Sequence, residues 1–266
     1  MSCPDCKKGN VLPGEPTGSI STAGAYYAPG PSPHAKRAVL LLTDVFGLPL
    51  KNSKLIADAL AKRLECDVWV PDLFAGKPIL GVDQLNMPDR PGVKVGFFGW
   101  VRFFFSMLPS IPAFLQSRAA VVDQRVKSFI QAVQADKKYE KLGAVGYCFG
   151  GMVAVRFGAT DLLDSIVVVH PGPVSLEQIR AIKVPAAWVC AQEDFSFSDK
   201  LREEAEAVFA GREGENSWVD YEFTLYPGTV HGFGARPNLD VPEIKEAFEK
   251  SQDQIVNWFN KTIPAS

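Results

Sequence analysis

Residues 144–155 read AVGYCFGGMVAV, and the cysteine in that stretch decides how the chain folds. Gly146, Cys148 and Gly150 form a G-x-C-x-G pattern. It stands where an apolar run (LGAV) gives way to a small-residue helical pattern (GMVAVRFG). This is the cysteine counterpart of the G-x-S-x-G nucleophile turn, which needs a strand before it and a helix after it. A nucleophile on so sharp a turn takes a strained backbone conformation, and glycines two before and two after let strand and helix approach without Cβ clashes. The following helix N-terminus points free N–H groups at the nucleophile, which favours a thiolate and a developing oxyanion. The pentapeptide alone leaves a buried core cysteine with helix-packing glycines as the alternative.

Working outward, strand and helix patterns alternate on both sides. Arg37–Thr43 (RAVLLLT) is a continuous apolar run, as for a strand buried on both faces, and ends in DVFG. Ser53–Leu64 carries apolar residues at helical spacing, with Ser53 in place as N-cap. Strands are predicted over Asp67–Pro71, Leu142–Gly146, Ser165–His170, Pro185–Ala191 and Trp218–Tyr226. Helices are predicted over Ala119–Ala135, Gly151–Gly158, Leu201–Ala210 and Pro242–Asn260. This rhythm makes the chain α/β, with a mainly parallel central sheet covered by helices on both faces. No composition break divides it, so residues 1–266 read as a single domain. Its Gly-, Pro- and Ser-rich leader, 1–35, is loop with a short edge strand near Ala25–Ala28.

A nucleophile turn works with an acid and a histidine that follow it in the chain, in that order. AWVCAQEDFSF puts Asp194, with Glu193 as its rival, just past one strand. TLYPGTVHGFG puts His231 in a glycine-rich loop past the next. The chain has three histidines. His34 lies in the polar leader, and His170 precedes Asp194 and breaks the order. His231 is therefore the candidate base, Asp194 the acid and Cys148 the nucleophile.

A net charge of −2 and the lack of a basic stripe argue against nucleic acid as a partner. The first residues, MSCPDCKKGN, lack the apolar stretch of a secretory signal, so the expectation is a cytoplasmic protein. Its five cysteines would then be mostly free thiols. Cys3 and Cys6 form a CxxC, but the remaining Cys and His residues supply no matching second half for zinc, and the pair does not follow a strand. No metal and no cofactor are expected. Residues 95–115, VGFFGWVRFFFSMLPSIPAFL, break the rhythm with seven aromatics, Pro109, Pro112 and the single charge of Arg102. They read as an aromatic lid-like insertion over a pocket; a buried excursion or surface membrane association are the alternatives, and no stable membrane insertion is expected.

GYCFGG, the later QEDF and HGF, and LLLTDVFG on the first strong strand together resemble the dienelactone hydrolase family of the α/β-hydrolase fold. The resemblance spans roughly residues 36–260, and CPDCKKGN with GEPTG is similar to the N-termini of fungal members. It implies a Cys148–His231–Asp194 triad and an oxyanion hole formed by the backbone N–H groups of Val45 and Phe149. It also implies a thiol-activating acid at Asp44, one methylene shorter than the bacterial glutamate, so that loop ordering is its other role. Arg236, five residues past His231, matches the family's carboxylate-binding arginine. Tyr147 and Arg102 join it as substrate-binding candidates. The activity implied is hydrolysis of a small carboxylic ester or lactone by a monomer or homodimer. The alternative is a non-catalytic protein that binds or senses a small molecule on the same fold.

Overall fold

The three-dimensional structure is a computed structural model that describes residues 11–32, 34–81, 89–92 and 110–265. Among the described residues eight strands form one sheet: β1 (Ser19–Ile20), β2 (Tyr26–Ala28), β3 (Arg37–Leu42), β4 (Asp67–Val70), β5 (Lys141–Tyr147), β6 (Ser165–Val169), β7 (Ala186–Glu193) and β8 (Tyr221–Val230). Their order is β1-β2-β4-β3-β5-β6-β7-β8. The β1–β2 and β2–β4 pairs are antiparallel, and every pairing from β4 to β8 is parallel. The helices are α1 (Asn52–Leu64), α2 (Ile111–Gln116), α3 (Ala119–Lys137), α4 (Phe149–Phe157), α5 (Leu176–Arg180), α6 (Asp199–Ala210) and α7 (Pro242–Thr262). This is the α/β architecture expected from the alternating pattern.

Strands β3, β4 and β6 are buried along their whole length, which explains why they read as unbroken apolar runs. Alternate residues feed two cores. Leu40 and Leu42 of β3 and Ile166 and Val168 of β6 join α3, α4 and α6 on one face. Val39, Leu41, Val167 and Val169 join α1 and α7 on the other. At about 25 cal/mol per Å² of apolar surface removed from water, this two-sided burial is the main favourable contribution to folding.

Two local readings are corrected. Ser53 is not the N-cap of α1: the helix begins at Asn52, and Lys51 caps it without a side-chain bond. The carbonyl of Lys51 accepts from both Lys54 and Leu55, while the Asn52 side chain is tied to the Leu12 amide and the Ala235 carbonyl. Long-range bonding therefore sets this helix start in place of a cap. The short helix α5, with a capping box between Ser175 and Gln178, went unread because five residues carry too little periodicity. Most of 95–115, including Arg102, lies outside the described residues. Of that segment the structure describes Ser110 and the start of α2.

The parallel register carries the functional consequence. Leu42 pairs with Gly146, Tyr147 with Val169, and Glu193 with Val230. The residues that follow these pairs, Thr43-Asp44, Cys148, His170, Asp194 and His231, are thereby collected along the carboxyl edge of one sheet, where open α/β sheets bind their ligands. A register shift between Ala191 and Glu193 bends β7 as it reaches that edge.

Candidate active site

Cys148 sits on the turn between β5 and α4 with φ 51° and ψ −109°, a conformation that side chains rarely adopt. The surroundings over-determine it. The Cys148 amide donates to Val169 O at 3.1 Å, and the Cys148 carbonyl accepts from Gly151 at 3.0 Å and Gly172 at 2.9 Å. A Cβ on Gly146 would overlap the Gly150 carbonyl, and one on Gly150 would overlap the backbone of Leu42. The glycines are there so that β3, β5 and α4 can meet within one residue's width.

The acid and base converge as their strand ends dictate. His231 Nδ1 lies 2.9 Å from Asp194 Oδ1 and 3.0 Å from Oδ2. The His231 amide donates to Glu193 O at 3.1 Å. Asp194 Oδ1 also accepts from the Ser196 amide (2.9 Å), the Ser196 hydroxyl (2.9 Å) and the Phe197 amide (3.1 Å). Burial alone would raise the Asp194 pKa. The hydrogen bond and charge of His231, with the Ser196 amide, outweigh it and hold the carboxyl below the usual range. On His231 burial opposes the charge, but the electrostatic influence of Cys148 and hydrogen bonding to Asp194 prevail and push the imidazole up to about 10. Nε2 of His231 is buried and makes no well-aligned hydrogen bond among the described residues, so the Cys148 sulfur is its electrostatic partner. Glu193 has no such place: its side chain is exposed and accepts from the Gly92 amide at 3.3 Å.

Val45 lies in the loop after β3, and Phe149 opens α4 directly after Cys148. Among the described residues, neither backbone N–H donates a hydrogen bond, whereas Gly150 donates to Thr43 O at 2.9 Å. Two free donors at a helix N-terminus and a neighbouring loop suit a developing oxyanion.

Asp44 and Arg236 form a buried pair. Arg236 Nε donates to Asp44 Oδ2 at 3.2 Å, with side chains 7% and 2% exposed. The guanidinium also lies over the Phe46 ring at 4.8 Å and covers Gly232, whose φ is 98°. Burial raises the Asp44 pKa against the opposing charge of Arg236. Asp44 Oδ1 accepts from the Phe46 amide at 3.1 Å, so the carboxylate shapes the very loop that carries Val45. Tyr147, 1% exposed, packs in the α1/α7 core near His170 and Phe233 and does not line an open site.

Ser196 and Phe195 carry no signal of their own in the sequence, and His170, excluded as the base by chain order, stands beside the site all the same. Ser196 links Asp194 to the Pro171 carbonyl (2.9 Å), and its hydroxyl lies 3.2 Å from His231 Nδ1. The His170-Pro171-Gly172 turn thus braces Cys148 through Gly172 and Asp194 through Pro171. His170 is fully buried with φ 32°, and its ring meets that of His231 edge-on at 5.1 Å. Burial, then the neighbouring charge of His231, lowers its pKa well below the usual histidine value. Phe195 is 70% exposed, and its ring centre lies 4.5 Å from that of His231. The D-F-S run is visible in the sequence, but the directions of its side chains are not. Among the described residues, no cluster of three or more His, Cys, Asp or Glu is placed to hold a metal, and no helix is long and apolar enough to cross a membrane.

Comparison with known proteins gives the family of the chain. The chain is 30% identical over 97% of its length to a hydrolase of Aspergillus violaceofuscus, pyvD, covering 96% of that protein. It is 26% identical to the carboxymethylenebutenolidase homolog of Mus musculus, covering 86% of this chain and 84% of the relative. A putative dienelactone hydrolase from Klebsiella pneumoniae shares the fold with a TM-score of 0.65 at 15% identity, covering 88% of this chain and 91% of that one. The family model for dienelactone hydrolases matches residues 24–263. With nearly the whole chain inside that match, this protein belongs to the dienelactone hydrolase family and is an ester hydrolase.

Proposed function

We propose that the protein hydrolyses a small carboxylic ester or lactone through a Cys148–His231–Asp194 triad. The observation that carries this reading is the geometry of His231: Nδ1 is held by Asp194 at 2.9 Å, Nε2 is buried and free of any well-aligned hydrogen bond among the described residues, and Cys148 is near enough to raise the imidazole pKa. A positive imidazole at the N-terminus of α4 is the setting that favours a thiolate.

In the first half-reaction the Cys148 sulfur attacks the carbonyl carbon, forming a C–S bond and placing the negative charge on oxygen. The amides of Val45 and Phe149 stabilise that charge; one such donor is worth about 3–4 kcal/mol in comparable sites. Collapse of the intermediate breaks the C–O bond, and the His231 Nε2 proton passes to the departing alkoxide. In the second half-reaction His231 takes a proton from water, whose oxygen attacks the thioester carbonyl. The C–S bond breaks and the acid leaves with thiolate and imidazolium restored. Asp194 remains ionised throughout, holding Nδ1–H and offsetting the imidazolium charge. Asp44 serves this cycle by ordering the oxyanion loop and neutralising Arg236.

A non-catalytic binding role fits less well, because a binder has no use for a cysteine held on a strained backbone by four backbone hydrogen bonds. The test is turnover of p-nitrophenyl acetate and a dienelactone by wild type and Cys148→Ala. Wild-type turnover that vanishes in the variant is expected; equal turnover by the two would remove Cys148 from the reaction.

A further inference from the structure

The most exposed large apolar side chain among the described residues is Phe195, 70% accessible, beside an acid and base whose side chains are 1% and 5% accessible. It directly follows Asp194, and both its chain neighbours are fixed. Asp194 is held by His231, and Ser196 is held by Asp194 and the Pro171 carbonyl. The next residue, Phe197, turns inward and stacks on Trp188 at 5.3 Å. The Asp194-Ser196 turn therefore presents one ring outward while anchoring the other. The outward ring lies 4.5 Å from the His231 ring at 48°. Exposure of one apolar ring is ordinary by itself; what sets Phe195 apart is that its open ring lies against the imidazole of His231, offering a substrate about 150–250 Å² of aromatic surface at that point.

Chemistry tells which part of a substrate that is. His231 delivers its proton to the leaving oxygen, so the group attached to that oxygen, the alcohol half, must lie beside the imidazole during C–O cleavage. The carbonyl oxygen turns towards the Val45 and Phe149 amides. We propose that Phe195 is a specificity-determining residue, a platform for a flat, unsaturated or aromatic alcohol portion of the ester or enol lactone. This rests on the triad reading above. Buried Arg236 does not compete for that half, because its guanidinium is taken by Asp44 and the face of Phe46.

The test compares benzyl acetate with cyclohexylmethyl acetate, esters of similar leaving-group basicity that differ in aromaticity. Wild type should favour the benzyl ester. An aromatic pair adds about 0.5–1.5 kcal/mol beyond area burial, so the ratio of kcat/KM values should fall about 2- to 10-fold in Phe195→Ala. Phe195→Tyr should keep the ratio. An unchanged ratio in Phe195→Ala, or an equal loss on both esters, would overturn the platform while leaving the triad intact. Absence of turnover of either ester by wild type, together with an unreactive Cys148, would overturn the triad reading and the platform with it.

Discussion

Replacing Asp194 with Asn changes one atom at the point where the site is most tightly determined. In the native protein the Oδ1 atom accepts from two backbone amides and the Ser196 hydroxyl, and both carboxylate oxygens approach His231 Nδ1. The asparagine oxygen would keep the amides of Ser196 and Phe197, since those donors point at Oδ1 and have no other partner nearby. Its NH₂ group would then face Nδ1. Wherever that NH₂ donates to Nδ1 in place of the remaining oxygen, the proton moves to Nε2, and a neutral imidazole offers the Cys148 sulfur a hydrogen where a base is needed. The proton shared by the two carboxylate oxygens counts as a single charge-assisted bond, worth about 1.5–3 kcal/mol. At 1.36 kcal/mol per factor of ten, kcat/KM should fall at least about 10- to 150-fold, and the wrong tautomer adds to this. The loss should appear in kcat, because Asp194 touches no substrate. Steady-state kinetics on an aryl ester, with circular dichroism to confirm folding, reads it out. Activity within twofold of wild type in folded Asp194→Asn would refute the reasoning.

Other perturbations follow from the same geometry. The His231 pKa is raised from 6.5 to about 10, so its contribution to stability is fully present below pH 6.5 and is lost as pH rises through 10. Between pH 6.5 and 10.5 wild type should lose more Tm than His231→Gln, and Cys148→Ala should lose less than wild type, since the thiolate is the largest cause raising that pKa. Gly150→Ala drives a methyl into the backbone of Leu42. Its cost should reach at least the top of the about 1–3 kcal/mol range for overpacking, seen as a lower urea midpoint, with activity lost as the turn shifts. Arg236→Ala strands the Asp44 charge in the interior. Removing one partner of a buried pair costs about 3–5 kcal/mol, and at about 2–4 °C per kcal/mol the Tm should drop by roughly 10 °C, with partial recovery in the Asp44→Asn double variant.

Periodicity and punctuation made most of the frame readable. The two-sided burial of β3 and β6 produces unbroken apolar runs, and the glycines flanking Cys148 announce a turn that only tight packing requires. Chain order pointed to Asp194 and His231 because parallel strands deliver whatever follows them to one edge of the sheet. What escaped the reading depends on contacts far apart in sequence. The start of α1 is set by bonds from Asn52 to Leu12 and Ala235, and no local pattern encodes those. Ser196 looks like an ordinary loop serine until Pro171 is folded against it. His170 was set aside on chain order and yet packs against the base. Arg236, read as a substrate clamp, proves to be engaged by Asp44. A cation's availability depends on which carboxylate the fold brings beside it, and 192 positions separate these two.

The central claim is that Cys148 carries the acyl group between two half-reactions. Intact-protein mass spectrometry after rapid acid quench with a stoichiometric p-nitrophenyl acetate measures this directly, followed by peptide mapping. The account predicts one acetyl added per chain on the peptide containing Cys148, formed with a burst of nitrophenol and absent in Cys148→Ala. Sustained turnover by Cys148→Ala at the wild-type rate, or a burst acetyl found only on another residue, would contradict it.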